Sequence, residues 1–177
     1  AFFINQQSVR GLGRVDAGQT TFRLRHAWCE LGQVGAGQTW SPFMDIDVFP
    51  NSIEYWGPNG MVFFRNVQFR WTPWQDGGSN FMIALEDPGA SGDQGVASDI
   101  IGGDIVARYP LPDLSAEYRR AFSRGYVELS GIVRRIEWED SDPTPTDLSG
   151  DVTGWGLHVS SNLKFNGGKD VLRLSAV

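Results

Sequence analysis

From Thr21 onward the sequence alternates apolar and polar residues in run after run, and the connections between the runs alternate between short and long. The clearest runs are TFRLRHAWCEL, MVFFRNVQFRW, NFMIALE, DLSAEYRR, YVELSGIVRRIEW, TGWGLHVSSNLKF and DVLRLSAV, with a shorter strand near VGAGQTW. Successive side chains of a β-strand point to opposite faces, so each run predicts a strand with one apolar and one polar side. Helical periodicity is hard to find. The short connections (GQ, GGS, AFSRG, NGGK) carry the residues of tight hairpins. The long ones fill residues 41–60, 87–112 and 139–151. An up-and-down antiparallel sheet with every short turn at one end gives this order. Outer-membrane barrels have that arrangement, with short periplasmic turns and longer external loops. A soluble sandwich has no reason to sort its loops by length.

Sorting by parity places Phe22, Leu24 and Trp28 opposite Arg23 and Arg25, and Val67, Phe69 and Trp71 opposite Asn66, Gln68 and Arg70. Further on, Leu114, Ala116 and Tyr118 oppose Ser115, Glu117 and Arg119. Val127, Leu129 and Val133 oppose Glu128, Ser130 and Arg134. Trp155, Leu157 and Val159 oppose His158, Ser160 and Lys164, and Leu172 and Leu174 oppose Arg173. Alternation alone fits any one-sided sheet. Aromatics near the strand ends (Trp28, Trp71, Tyr118, Trp155, Phe165) suit the two water–lipid boundaries, where a ring and a polar handle are both satisfied. Strands of about ten residues suit a tilted crossing. Arg65, Arg135 and Glu137 fall on the apolar parity. An Arg at the lipid midplane costs about 2–4 kcal/mol, so these three are expected beyond the hydrocarbon, beside the long loops. His26 shares the apolar parity and does not fit.

Composition narrows the function. The formal net charge is -6, against the basic surplus of a dedicated nucleic-acid binder. One Cys excludes an internal disulfide, and two His with one Cys make a structural zinc site improbable. A mean hydropathy of -0.26 and no long apolar run exclude a transmembrane helix, but barrel strands leave no such mark. The chain opens on AFFI and stops within an alternating run, so it reads as part of a longer protein.

The segments FRLRHAWCELGQVGAGQTWSPFMDID, GPNGMVFFRNVQFRW and GWGLHVSSNLKF, in that order and spacing, resemble the DcaP-like trimeric porins of Gram-negative outer membranes. The resemblance covers most of residues 21–177. It implies that residues 1–177 form a single partial domain of an all-β, up-and-down antiparallel transmembrane barrel. About 8 strands would be present of a closed barrel of about 16, within the bacterial range. It implies passive diffusion of small solutes, with a preference for anions such as dicarboxylates, a homotrimer and contact with outer-membrane lipid. No cofactor is implied.

On the polar parity, Arg23, Arg25, Arg70, Arg119, Arg134, Lys164 and Arg173 outnumber Glu86, Glu117 and Glu128, so the lumen side is expected to be cationic. A ladder of Arg can hand a carboxylate from one charge-assisted contact to the next. With His158 these are the candidate pore-lining residues. By analogy, residues 41–60 are a candidate inward-folded constriction loop, with Asp45 and Asp47 facing the ladder. Each of these side chains would equally serve as ordinary solvated surface. No catalytic motif stands out. Neither Gly-rich stretch leads from strand to helix as a phosphate loop must, and neither His has a companion nucleophile signature. Cys29 lies on the Arg23/Arg25 parity and reads as a small filler. The alternative reading is a soluble β-sandwich that binds carbohydrate through exposed Trp.

Overall fold

The computed structural model describes residues 2–5, 21–50, 61–89, 105–141 and 147–177. Eleven strands are present among them: β1 (Phe2–Asn5), β2 (Thr21–Leu24), β3 (Ala27–Leu31), β4 (Val34–Trp40), β5 (Arg65–Asp76), β6 (Ser79–Glu86), β7 (Ile105–Arg108), β8 (Asp113–Phe122), β9 (Gly125–Asp140), β10 (Gly150–Phe165) and β11 (Asp170–Ala176). Strands β1 and β2 pair antiparallel with each other. The main sheet runs β11-β10-β9-β8-β6-β5-β4-β3, every pairing antiparallel, with β7 added against β9. Among the described residues its two end strands, β3 and β11, pair on one side only.

Short and long connections alternate along this sheet as the sequence predicts. Gly32–Gln33, Gly77–Gly78, Ser123–Arg124 and residues 166–169 make the short turns. Gly77 and Gly78 both hold positive φ (52° and 83°), which an L side chain resists. The strands run further into the connections than alternation suggested. β5 continues to Asp76 through a register shift between Trp71 and Trp74, where Pro73 can donate nothing to the ladder. β9 reaches Asp140 and β10 starts at Gly150, which shortens the expected loop at 139–151. The connection at 87–112 is not strand-free, because β7 lies within it. β7 and β8 pair with successive parts of β9 and form one interrupted strand. Pro110 and Pro112, without amide hydrogens, stand in the interruption.

The first run, TFRLRHAWCEL, is also two strands. It breaks at Arg25–His26, and the Gln38 amide donates to the carbonyls of Leu24 (3.1 Å) and Arg25 (3.3 Å) there. This break resolves the misfit of His26. Its ring lies against Trp40 (centroids 3.9 Å apart) and within 3.3 Å of Thr39 Oγ1. The break also reverses the expected facing of β3. Trp28 pairs with Gly37, which pairs with Gln68, so Trp28 belongs to the polar face and not to the apolar girdle. Its ring covers Gly35, where a Cβ would meet it at 2.1 Å. Cys29 accordingly lies exposed on the other face, away from the arginines.

The two faces are inverted relative to a soluble sheet. Val67, Phe69, Trp71, Leu114, Tyr118, Leu129, Val133, Trp155, Leu157 and Leu174 are exposed. Gln68, Glu86, Asp113, Ser115, Glu117, Glu128, Ser130, His158 and Ser160 are buried. Among the described residues no second layer covers the apolar face, an arrangement that does not favour the β-sandwich reading. Water-exposed apolar area on this scale would be an association liability. Facing lipid, it is the barrel's outer band.

Candidate functional site

What buries the polar face is the connection after β4. Residues 41–50 carry apolar Phe43, Met44, Val48 and Phe49 in a segment without strand periodicity, and all four are buried. The segment folds back across the sheet as a strap. At its start Ser41 Oγ donates to Glu86 Oε1 on β6 at 2.7 Å. Ser115 Oγ donates to the same oxygen, and Asn66 Nδ2 donates to Glu86 Oε2 at 3.1 Å. Glu86 thus ties β5, β6 and β8 to the strap through neutral donors. Next, Phe43 meets His158 on β10 edge to face, with ring centroids 6.1 Å apart. Gly156 makes room for it, since a Cβ there would stand 2.8 Å from the Phe43 ring. At its end, Phe49 O accepts from Arg173 Nη1 on β11 at 3.0 Å.

Asp45 is the centre of the strap. It caps the short 3-10 turn Ile46–Val48 by accepting from Asp47 N at 2.9 Å. It also accepts from Arg119 Nη2 on β8 (3.1 Å), Tyr126 Oη on β9 (2.6 Å) and Ser160 Oγ on β10 (2.6 Å). Three adjacent strands therefore hold one carboxylate. Arg119 further donates through Nη1 to Asp47 Oδ2 (2.8 Å) and through Nε to Glu128 Oε2 (2.7 Å), and it lies 4.2 Å over the Tyr126 ring. These charge-assisted contacts are the strong class of hydrogen bond.

The predicted ladder residues are placed as follows. Arg70, Arg119, Arg134 and Arg173 all stand on the polar face. Arg70 donates to Gln68 Oε1 (2.9 Å) and Trp40 O (2.6 Å), and its guanidinium lies 5.0 Å from the Trp28 ring. Trp28 in turn donates to Glu30 at 2.7 Å. Arg134 grips Asp113, with Nε 2.9 and 2.8 Å from the two carboxylate oxygens and Nη2 on the second. Lys164 is exposed near the β10–β11 turn. Arg25 is half-buried at the break between β2 and β3. The side chain of Arg23 lies outside the described residues, as do residues 51–60 of the candidate constriction loop. His158 is 2% exposed, with Nε2 2.9 Å from Ser175 Oγ, and forms part of the seat for Phe43.

Two features escaped the parity count. Asp113 adds a buried acid to the polar face, and Glu30 follows Trp28 onto it. With Asp45 and Asp47, the described acids offset the cationic surplus expected from the strands alone. Their arrangement is unequal, however. The side chains of Asp45, Glu128 and Asp113 are 0% exposed, whereas those of Arg119 and Arg134 are 22% and 13% exposed. The carboxylates lie against the wall and the guanidinium groups lie nearer water. Tyr126, Ser160 and Gly156 were also missed. Alternation puts each on a face but says nothing of the loop that lands there.

The model of the family described as DcaP outer membrane protein matches residues 7–160. Among solved structures, the outer membrane channel DcaP of Acinetobacter baumannii superposes with a TM-score of 0.69 at 21% sequence identity, covering 87% of this chain. The chain spans 40% of that channel's length. No curated protein matches it. The apolar exposed face, the polar face under its strap and the family match agree: the chain belongs to the DcaP outer membrane protein family, and its place is the bacterial outer membrane.

Proposed function

We propose that this chain forms part of the wall and the constriction of a passive diffusion channel for small solutes, with a preference for anions such as dicarboxylates. The observation that carries the reading is the inverted sheet, apolar toward lipid and polar toward a strapped interior. Residues 41–50 narrow that interior, and the arginines standing over buried acids give a passing carboxylate its charge-assisted contacts. Arg23, Arg25, Arg70, Arg119, Arg134, Lys164 and Arg173 are the lining cations in this reading. The homotrimer implied by the resemblance is part of the same proposal.

The test uses the complete protein, purified in detergent and placed in a planar bilayer across a potassium chloride gradient. Stepwise conductance with a reversal potential on the chloride side is the expected result. A protein that inserts without conducting ends the channel reading, and a potassium-side reversal potential ends the anion preference. Crosslinking in detergent tests the trimer.

A further inference from the structure

Asp45 and Asp47 both reach Arg119, but the fold holds them differently. The Asp45 side chain is 0% exposed and takes four hydrogen bonds, two on each oxygen: Asp47 N and Arg119 Nη2 on Oδ1, Tyr126 Oη and Ser160 Oγ on Oδ2. An ionised carboxylate has about four lone-pair sites, so Asp45 is saturated. The Asp47 side chain is 52% exposed. Among the described residues its carboxylate has one partner, Arg119 Nη1, at 2.8 Å. The other acids around that guanidinium are fixed, because Glu128 and Glu117 belong to the wall and Asp45 is locked by three strands.

We propose that Asp47 is a tethered competitor of the solute, its carboxylate occupying the place on Arg119 Nη1 that a passing carboxylate takes. This rests on the anion-channel reading above. The exchange needs no loop movement. The backbone of Asp47 stays pinned by its N–H on Asp45 and by its carbonyl, which accepts from Asn162 Nδ2 at 3.3 Å. Only the side chain has to swing. An exposed ion pair contributes about 0–1 kcal/mol, so a solute displaces it at little cost. Conduction requires binding strong enough for entry and weak enough for exit. A competitor two residues from the saturated Asp45 sets the second limit, since it re-forms its own pair on Arg119 and so weakens the solute's hold there.

The experiment measures block of chloride conductance by succinate in bilayers containing the complete protein and its Asp47→Asn, Asp47→Glu and Glu30→Gln variants. Glu30 accepts from Trp28 on the same face and is not bonded to Arg119, so it controls for the loss of one negative charge. In Asp47→Asn, the succinate concentration that halves the conductance falls about fivefold, the weight of one exposed pair. In Glu30→Gln it moves much less, and Asp47→Glu stays near wild type. Equal shifts in Asp47→Asn and Glu30→Gln, or no shift in either, overturn the role of Asp47 while leaving the channel reading intact. A wild-type protein that forms no channel overturns that reading and this inference with it.

Discussion

Arg119 and Arg134 stand on neighbouring strands of one face, yet they do different work. Arg134, toward the long connections, is closed by Asp113, and both partners belong to the wall. The pair joins β8 to β9. Arg119, toward the short turns, pairs with two wall acids, Glu128 at 2.7 Å and Glu117 at 3.9 Å, and with two acids of the strap. The same chemistry thus fixes the sheet in one region and fastens the strap to it in the other. Damage to the first is expected to appear in sheet stability, and damage to the second, on the proposed channel reading, in conductance.

The largest separation comes from Asp45→Ala. It strips an acceptor from Arg119, Tyr126 and Ser160 at once, and losing one partner of a buried ion pair costs roughly 3–5 kcal/mol. Here the loss falls on docking of residues 41–50. Single-channel conductance is expected to rise, and chymotrypsin is expected to gain access at Phe43 and Phe49 while the barrel stays folded. A variant with unchanged conductance and resistance to cleavage would show that the strap is held mainly by Glu86 and Arg173. Next comes Arg134→Met, which leaves Asp113 buried without its cation at a similar cost. The thermal unfolding midpoint is expected to drop with conductance unaltered. Adding Asp113→Leu is expected to recover most of the loss, because a buried pair replaced by apolar groups is often neutral. Smaller again is Gly156→Val. Its added carbons meet the Phe43 ring, and overpacking of this kind costs about 1–3 kcal/mol. Conductance between that of wild type and Asp45→Ala is expected.

The sheet was legible in the sequence because alternation and loop length are local signals. Runs such as GWGLHVSSNLKF state their own facing, and Trp155, Leu157, His158 and Ser160 stand where parity puts them. Parity fails where the strand is interrupted. One break at Arg25–His26 turned Trp28 inward, and no count of apolar and polar residues marks it. The break is supported from another strand, through the Gln38 side chain, and by the close approach of Gly37, where a Cβ would lie 2.0 Å from Ala27 O. The charge of the polar face failed for a related reason. The count left out the strap, from which two of the acids on Arg119 arrive, and the strand start, where the acid on Arg134 sits. A signal for the strap existed in the sequence SPFMDIDVF, whose apolar side chains Phe43, Met44, Ile46, Val48 and Phe49 in a connection need somewhere to be buried.

The smallest expected effect belongs to Arg135, the chain neighbour of Arg134 on the opposite face. It pairs with Glu137 (3.6 Å) and Asp151 and donates to Thr153 Oγ1 at 3.2 Å. All three ionic side chains are more than a third exposed, at 35%, 39% and 51%. Such a pair contributes about 0–1 kcal/mol at a water boundary, and salt weakens it. Arg135→Ala is therefore expected to lower stability by less than about 1 kcal/mol, and by less still in high salt. The sign tests the depth of the outer face. In hydrocarbon an Arg costs about 2–4 kcal/mol, so its removal there stabilises the barrel. A clear gain in the unfolding midpoint in lipid vesicles would place Arg135 below the boundary.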